Sequence, residues 1–302
     1  MQPITIIIPT YNRANALKIV WQSYIGNPLV KRIIIVNDGS TDNTKTVLEH
    51  LSEHSPTPVT VIHHSKKQGQ QISRMDGIAE SDTKWILFGE DDVWLGQNYI
   101  DTLILEAETL GAEIIAGRIL NITGVNNDFD PSKLRDNDSP YMDDIFDMKH
   151  FAARFDARSK GPLPAPFLHT IALIHSSVFA TVRFDTRYLG NAHREETDFY
   201  LTADAAGFSI YWTPATACHH LRGTISLTGG QRGRKLNWIK IEFWGYVNTW
   251  MLVKKHWCLL IKKYGFERSP LCWFVTIYCK DRFLLYVDRI CSGRILKTWS
   301  HK

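Results

Sequence analysis

Apolar residues in this chain fall into short runs rich in Ile and Val, each closed by polar turn residues. Residues 4–8 and 32–36 are two such runs and predict buried strands. Between them residues 14–25 predict a helix, and residues 41–54 predict a second one, with Ser40 or Thr41 available as its N-cap. Residues 59–63 predict a third strand, 71–79 a third helix and 84–88 a fourth strand. Strand and helix alternate at intervals that suit βαβ units and a mostly parallel sheet flanked by helices, an α/β fold. Ligands of such sheets bind outside the carboxyl ends of the strands. The polar loops 9–13, 37–42 and 90–92 therefore converge on one crevice.

Composition changes this picture little at first. The chain has 302 residues, 44% hydrophobic and 22% charged, which fits a globular protein of one large or two modest domains. The five cysteines lack metal-ligand spacing, which points to a reducing compartment, with the cytoplasm as default. Residues 1–9 have no basic leader or small-residue cleavage site and read as a buried first strand rather than a signal peptide. Charge is more informative. Residues 232–302 hold 15 Lys and Arg against 4 Asp and Glu, so this tail carries +11 while the rest carries −7. Six of the ten tryptophans lie there as well: Trp238, Trp244, Trp250, Trp257, Trp273 and Trp299. No apolar run reaches the ~18–20 residues of a membrane span. Basic residues interleaved with Trp and Leu suit an interfacial helix on an anionic membrane, and no nucleic-acid partner is expected. The alternative is helices packed on the body with a solvated basic face.

The candidate chemistry begins at Glu90-Asp91-Asp92, directly after the apolar Trp85-Ile86-Leu87-Phe88 and Gly89. Adjacent carboxylates at a strand's end form a hard oxygen site for Mg²⁺ or Mn²⁺, which typically bridges to substrate phosphates. A solvated acidic loop is the bland alternative.

In order, Pro9-Thr10-Tyr11-Asn12-Arg13, Val36-Asn37-Asp38-Gly39-Ser40-Thr41-Asp42, Gly69 with Ser73-Arg74-Met75-Asp76-Gly77-Ile78, and the acidic triplet resemble the motifs of GT-A glycosyltransferases of family 2. A fifth segment, His193-Arg194-Glu195-Glu196-Thr197-Asp198-Phe199, resembles the family's G-E-D-x-D segment, and residues 206–214 resemble the strand that follows it. The resemblance covers roughly residues 3–222. It implies a Rossmann-like GT-A fold over 1–225, with a nucleotide-binding half (1–118), an acceptor half (119–225) and a helical extension over 226–302. It also implies an inverting transfer from a nucleoside diphosphate sugar, UDP favoured over dTDP, to a hydroxyl of a glycan or lipid-linked acceptor. Pro9, Thr10, Tyr11 and Arg13 would hold the nucleoside, Asp38 the uracil, and Gly69 and Arg74 the diphosphate or base. Asp92 would bind the metal, with Glu90 and Asp91 at the metal or ribose. Glu196 would take the acceptor proton, with Glu195 as runner-up and Asp198 orienting the acceptor or helix. His219 or His220 would add a metal ligand, and His219 is favoured.

Bland readings stand beside these. Asp38 caps a helix, Arg74 is a solvated helix face, the 195–198 carboxylates answer the helix dipole, and each His is structural. Departures from the family pattern are Glu90 and Glu196, each where Asp is usual, and Met75 where Asn is usual. Gln231 and Arg234 have Q-x-x-R spacing but Lys235 stands where Trp should follow, which suggests a basic loop over the donor phosphates. Asn248 to Lys255 resembles the R-N-x-x-x-x-x-x-K helix of lipopolysaccharide-type members, with Val247 replacing Arg. The rival classes are a sugar-1-phosphate nucleotidyltransferase, for which a Gly-rich phosphate loop after the first strand is missing, and a non-catalytic sugar-nucleotide or glycan-binding module. Residues 120–170 identify no acceptor.

Overall fold

The computed structural model describes residues 2–125, 129–134, 139–223 and 238–291. Four strands, β1 (Ile4–Thr10), β2 (Val30–Asn37), β3 (Val59–His63) and β4 (Trp85–Phe88), alternate with helices α1 (Ala14–Val20), α2 (Thr44–Glu53) and α3 (Gln70–Glu80). They pair in parallel in the order β3-β2-β1-β4. Then come β5 (Val93–Leu95), α4 (Tyr99–Leu110), β6 (Ile114–Val125), the short β7 (Phe146–Asp147), β8 (Ala152–Ala153) and β9 (Leu163–Pro164), and β10 (Leu173–His175). Helix α5 (Glu195–Ala205) and the long β11 (Ile210–Gly223) complete the sheet. Its full order is β3-β2-β1-β4-β10-β6-β11-β5, with β9 beside β11. β10 runs antiparallel to both β4 and β6, and β11 runs parallel to β6.

Strand periodicity explains the two-sided core. Ile4, Ile6 and Ile8 of β1, with Ile33 and Ile35 of β2, face the side covered by α1 and α4. Ile7, Ile34, Val36, Ile86 and Phe88 face the other, where α5 packs. Helix α3 lies close against that second face: a Cβ on Gly77 would meet Ile7 Cγ2 at 2.5 Å. The C-terminal α6 (Trp238–Tyr264), α7 (Pro270–Trp273), a π-helical turn (Phe274–Cys279) and α8 (Lys280–Cys291) follow. Leu252, Val253, Leu260, Phe266, Trp273 and Tyr278 of this region join the same core cluster as Phe184 and Phe199. No helix among the described residues is long and apolar enough to cross a membrane.

Two helix ends differ from the sequence expectation for visible reasons. The first helix gives way to a 3-10 turn at Trp21–Ser23, where Ser23 Oγ donates to Val20 O and accepts from Leu95 N–H. The second begins at Thr44 rather than Thr41. Asn12 Oδ1 accepts from Thr41 N–H at 2.7 Å and Ser40 Oγ accepts from Asn12 N–H at 2.9 Å, which ties residues 40–42 to the β1 loop. Asp42, not Ser40 or Thr41, then accepts from the Thr44 N–H.

Candidate active site

The loops at the carboxyl ends of β1, β2 and β4 open onto a cavity of about 540 Å³. Pro9, Thr10, Tyr11, Arg13, Asp38, Gly69, Arg74, Glu90, Asp91, Asp92, Glu196 and His220 all line it. Glu195, Asp198 and His219 do not.

Sheet register fixes one wall. β5 follows the acidic triplet and pairs antiparallel with β11, placing Val93 opposite His220 and Trp94 opposite His219. Leu221 N–H donates to Asp92 O at 2.9 Å. His220 Nε2 therefore stands 3.5 Å from Asp92 Oδ2. Strand alternation sends His219 away from the cavity, so the expectation that favoured His219 is corrected to His220. Arg13 reaches the same Asp92 oxygen at 3.1 Å, and Thr10 Oγ1 donates to Asp91 Oδ2 at 2.8 Å. Tyr24 braces the turn from below, its hydroxyl donating to Glu90 O. Burial, with repulsion from Asp92, pushes Glu90 up to about 7. Burial likewise pushes Asp91 up to about 6 against the pull of Arg13. Among the described residues, no three His, Cys, Asp or Glu side chains meet as a ready-made metal cage.

The other acidic group sits at the start of α5. The chain enters this helix through left-handed residues Gly190, Ala192 and Arg194, a conformation that costs non-glycine residues about 1–2 kcal/mol each. Tertiary contacts hold the turn: Arg194 donates to Phe151 O, and Asn248 Nδ2 donates to Leu189 O at 3.0 Å. Gly190 lies under the Trp244 indole so closely that a Cβ there would be 2.2 Å from the ring.

Three carboxylates emerge with three distinct roles. Glu195 is fully buried, ion-paired to Arg74, and accepts from Gln70 Nε2. Glu196 faces the cavity, its Oε1 accepting from Thr170 Oγ1 at 2.9 Å and standing 3.7 Å from Arg74. Asp198 is fully buried away from the cavity, accepting from Tyr188 Oη, Lys255 Nζ and His256 Nε2 at 3.1, 2.7 and 2.8 Å. It joins α5 to α6 and does not line the cavity. The Asn248 and Lys255 spacing noted in the sequence thus has a structural use: one holds the Leu189 carbonyl, the other holds Asp198.

Arg74 links the two acidic walls. It is 2% exposed and lies 4.0 Å from Glu90. Burial pulls its guanidinium down, but Glu195, Glu196 and Glu90 outweigh that and hold it above its ordinary value. Met75, where the resemblance expects Asn, packs instead against the core.

At the base end, Asp38 accepts from Gln68 N–H and Gly69 N–H at 2.7 and 2.9 Å, and from His64 Nδ1 at 2.9 Å. Gly69 has φ 106°, open to glycine and strained for other residues. Lys67 lies 4.0 Å over the Tyr11 ring, giving this end a cation and an aromatic face. Sequence reading missed Lys67, His64 and Thr170, which sit outside the quoted motifs. It also missed His169, whose Nε2 faces Gly117 O and whose Nδ1 accepts from Ile171 N–H. Burial pushes His169 down to about 4. Gln231, Arg234 and Lys235 lie outside the described residues, as does Trp299.

The family model for Glycosyl transferase family 2 matches residues 5–182. The chain belongs to that family. A GalNAc(5)-diNAcBac-PP-undecaprenol beta-1,3-glucosyltransferase of Campylobacter jejuni is 24% identical over 194 residues, covering 63% of this chain and 57% of that one. Glycosyltransferase GlyA of Streptococcus pneumoniae is 29% identical over 115 residues, covering 38% and 16%. The chain thus spans about half or less of these curated relatives. Among solved structures, S. aureus TarS 1-349 in complex with UDP-GlcNAc has a TM-score of 0.60 at 11% identity, covering 90% of this chain and 69% of that one. GalNAc-T7 with UDP, GalNAc and Mn2+ has a TM-score of 0.62 at 13% identity, covering 84% and 48%. These likenesses show the GT-A fold. For this family 2 chain the matched segment ends before α5, so Glu195, Glu196 and Asp198 are placed by geometry alone.

Proposed function

We propose that this family 2 chain moves a sugar from a nucleoside diphosphate sugar to an acceptor hydroxyl with inversion at the anomeric carbon. UDP is the favoured nucleotide and dTDP the alternative. The acceptor is a glycan or a lipid-linked glycan in cell-surface polysaccharide synthesis, met at the inner face of the membrane. One observation carries the reading: a single cavity holds the acidic triplet with His220 and also Glu196, with Arg74 within 4.0 Å of Glu90 and of Glu196.

A divalent ion suits the donor set at the first wall. Asp92 Oδ2 and His220 Nε2 converge there, a carboxylate oxygen and an imidazole nitrogen, and Asp91 stands beside them. These residues would hold Mn²⁺, or Mg²⁺ where oxygen dominates, together with the donor's diphosphate. When bound, the ion would neutralise charge on the departing nucleoside diphosphate. The chain's own residues do the rest. Tyr11 and Asp38 bind the base, and Arg74 holds its positive charge beside the diphosphate. Glu196, steadied by Thr170, takes the proton as the acceptor oxygen attacks.

The test is product analysis with UDP- and dTDP-sugars and Mn²⁺. Nucleoside diphosphate release by wild type, lost in Glu196→Gln, supports the reading. Pyrophosphate release from a nucleoside triphosphate and a sugar 1-phosphate would make the chain a nucleotidyltransferase. Tight sugar-nucleotide binding without turnover would make it a binding module.

A further inference from the structure

Among the described residues, the C-terminal helices carry an exposed apolar face. Of the fifteen large hydrophobic residues exposed on the described surface, twelve lie between Ile239 and Val287. Two stretches stand out. On α6, Ile239, Phe243 and Val247 recur every fourth residue, so they form one stripe, with Ile239 55% and Phe243 57% exposed. On α8, Phe283, Leu284, Leu285, Tyr286 and Val287 are all exposed, Phe283 at 64%. The two helices are joined by the ion pair of Arg282 with Glu242, so the stripes belong to neighbouring elements. Clustered exposed apolar residues on this scale mark an interaction surface.

Among the described side chains, the tryptophans of this region are not what is exposed. Trp273 is buried against Phe151 and Phe266, Trp257 packs on Phe266, and Trp250 packs on Phe274. Trp250, Trp257 and Trp273 are therefore used in packing, while Trp238 and Trp299, also part of the sequence expectation, have side chains outside the described ones.

We infer that the Ile239–Phe243–Val247 stripe of α6 and the Phe283, Leu284 and Val287 side of α8, three residues within about 100° of one another around that helix, form one face that inserts into the headgroup region of an anionic bilayer. Charge selects this occupant. Residues 238–291 hold nine Lys and Arg against four Asp and Glu. Lys240 and Lys280 are exposed within this region, on the same two helices as the apolar stripes. In the sequence, Arg232, Arg234 and Lys235 come just before α6, and Arg294, Lys297 and Lys302 come just after α8. A second copy of the chain would bring like charge against like. An anionic lipid surface accepts both the apolar stripes and the surrounding cations. The face also adjoins the cavity, because Trp244, next to Phe243, packs on cavity-lining Gly190. This deepens the lipid-linked acceptor reading and rests on it only for the face's purpose.

The experiment is flotation of the full chain with vesicles of phosphatidylcholine alone and of equal phosphatidylcholine and phosphatidylglycerol, at low and high salt, without any sugar nucleotide. Wild type should float with the anionic vesicles at low salt and much less with neutral ones or at high salt. Phe283→Ser with Leu284→Ser should cut partitioning by roughly tenfold or more. Ile239→Ser with Phe243→Ser should do the same while circular dichroism stays unchanged. Lys240→Glu with Lys280→Glu should weaken anionic binding only. Failure of wild type to float overturns the inference, as does unchanged flotation of both apolar double variants. A concentration-dependent dimer by light scattering, abolished by the apolar variants and unaccompanied by flotation, also overturns it and assigns the face to a second copy. Flotation needs no turnover, so its failure leaves the donor reaction standing. Loss of donor hydrolysis in turn leaves flotation standing.

Discussion

Around the crevice, Glu90, Asp91, Asp92 and Glu196 crowd against Arg13, Arg74 and His220, and burial raises Glu90 and Asp91 towards neutrality. At the junction of α5 with α6 the ratio is reversed: one carboxylate, Asp198, meets Lys255, His256 and the Tyr188 hydroxyl. The two regions are separated by two residues of one helix, Glu196 to Asp198. Several carboxylates facing one open crevice are a place for a cation, and a phosphate with it, to bind. A buried carboxylate whose donors come from two packed helices, with no face on the crevice, is a joint between elements. Acidity at the α5 N-terminus therefore does not mark function by itself. The partners it finds decide.

The sharpest break of this contrast is Asp92→Ala. On the crevice side it should lose transfer and metal-dependent nucleotide binding, on the order of 10³-fold or more in rate, while circular dichroism keeps the folded signature and the melting temperature falls because buried Arg13 loses its carboxylate. Near-normal turnover in a coupled UDP-release assay would remove Asp92 from the metal wall. Next comes Glu196→Gln, with a loss of roughly 10²–10⁴-fold in kcat and nucleotide affinity kept, read by steady-state kinetics and calorimetry. Equal losses in binding and rate would argue against a base.

On the joint side, Asp198→Ala leaves Lys255 and His256 without their shared carboxylate and should cost about 3–5 kcal/mol of stability in denaturant melts. A variant that stays as stable as wild type but loses rate would move Asp198 into the chemistry and erase the contrast.

The smallest effect is in pH. Neutral His169 uses Nδ1 as an acceptor for Ile171 N–H, and burial holds its folded value at about 4, below the ordinary 6.5. Between about pH 6.5 and 4 the unfolded chain binds the extra proton, so stability falls as pH falls through that window. His193, pushed by burial to about 3, acts in the same direction. His169→Gln should flatten part of this slope in thermal melts, and an unchanged slope would exclude His169 as its source.

The crevice was legible because strand ends in an α/β sheet converge, and the 9–13, 37–42 and 90–92 loops follow strands whose apolar runs are plain. The alternation of β1–β4 with α1–α3 was legible in the same way, whereas the order β3-β2-β1-β4 came only with the structure. The choice between His219 and His220 was not legible, since it depends on β5 pairing with β11 in one register, a contact across more than a hundred residues. Asp198's role was hidden for a similar reason, as Lys255 and His256 reach it from another helix. The start of α2 was misplaced because Asn12, on a different loop, takes the Thr41 N–H. Local pattern shows which segments are rigid and which end in charge. It does not show which distant side chain satisfies that charge.

The closeness of Gly190 to Trp244 restricts how this enzyme can diversify. Any side chain at position 190 drives the crevice wall into the indole, and any smaller residue at 244 leaves a void beneath the wall. In this chain the two positions therefore fit as a matched pair. A chimera that joins this chain's first 223 residues to another member's C-terminal helices should keep its nucleotide site, carried by β1–β4. It will lose the shape of the crevice wall at Gly190 unless residue 190 and the helix facing it come from the same parent.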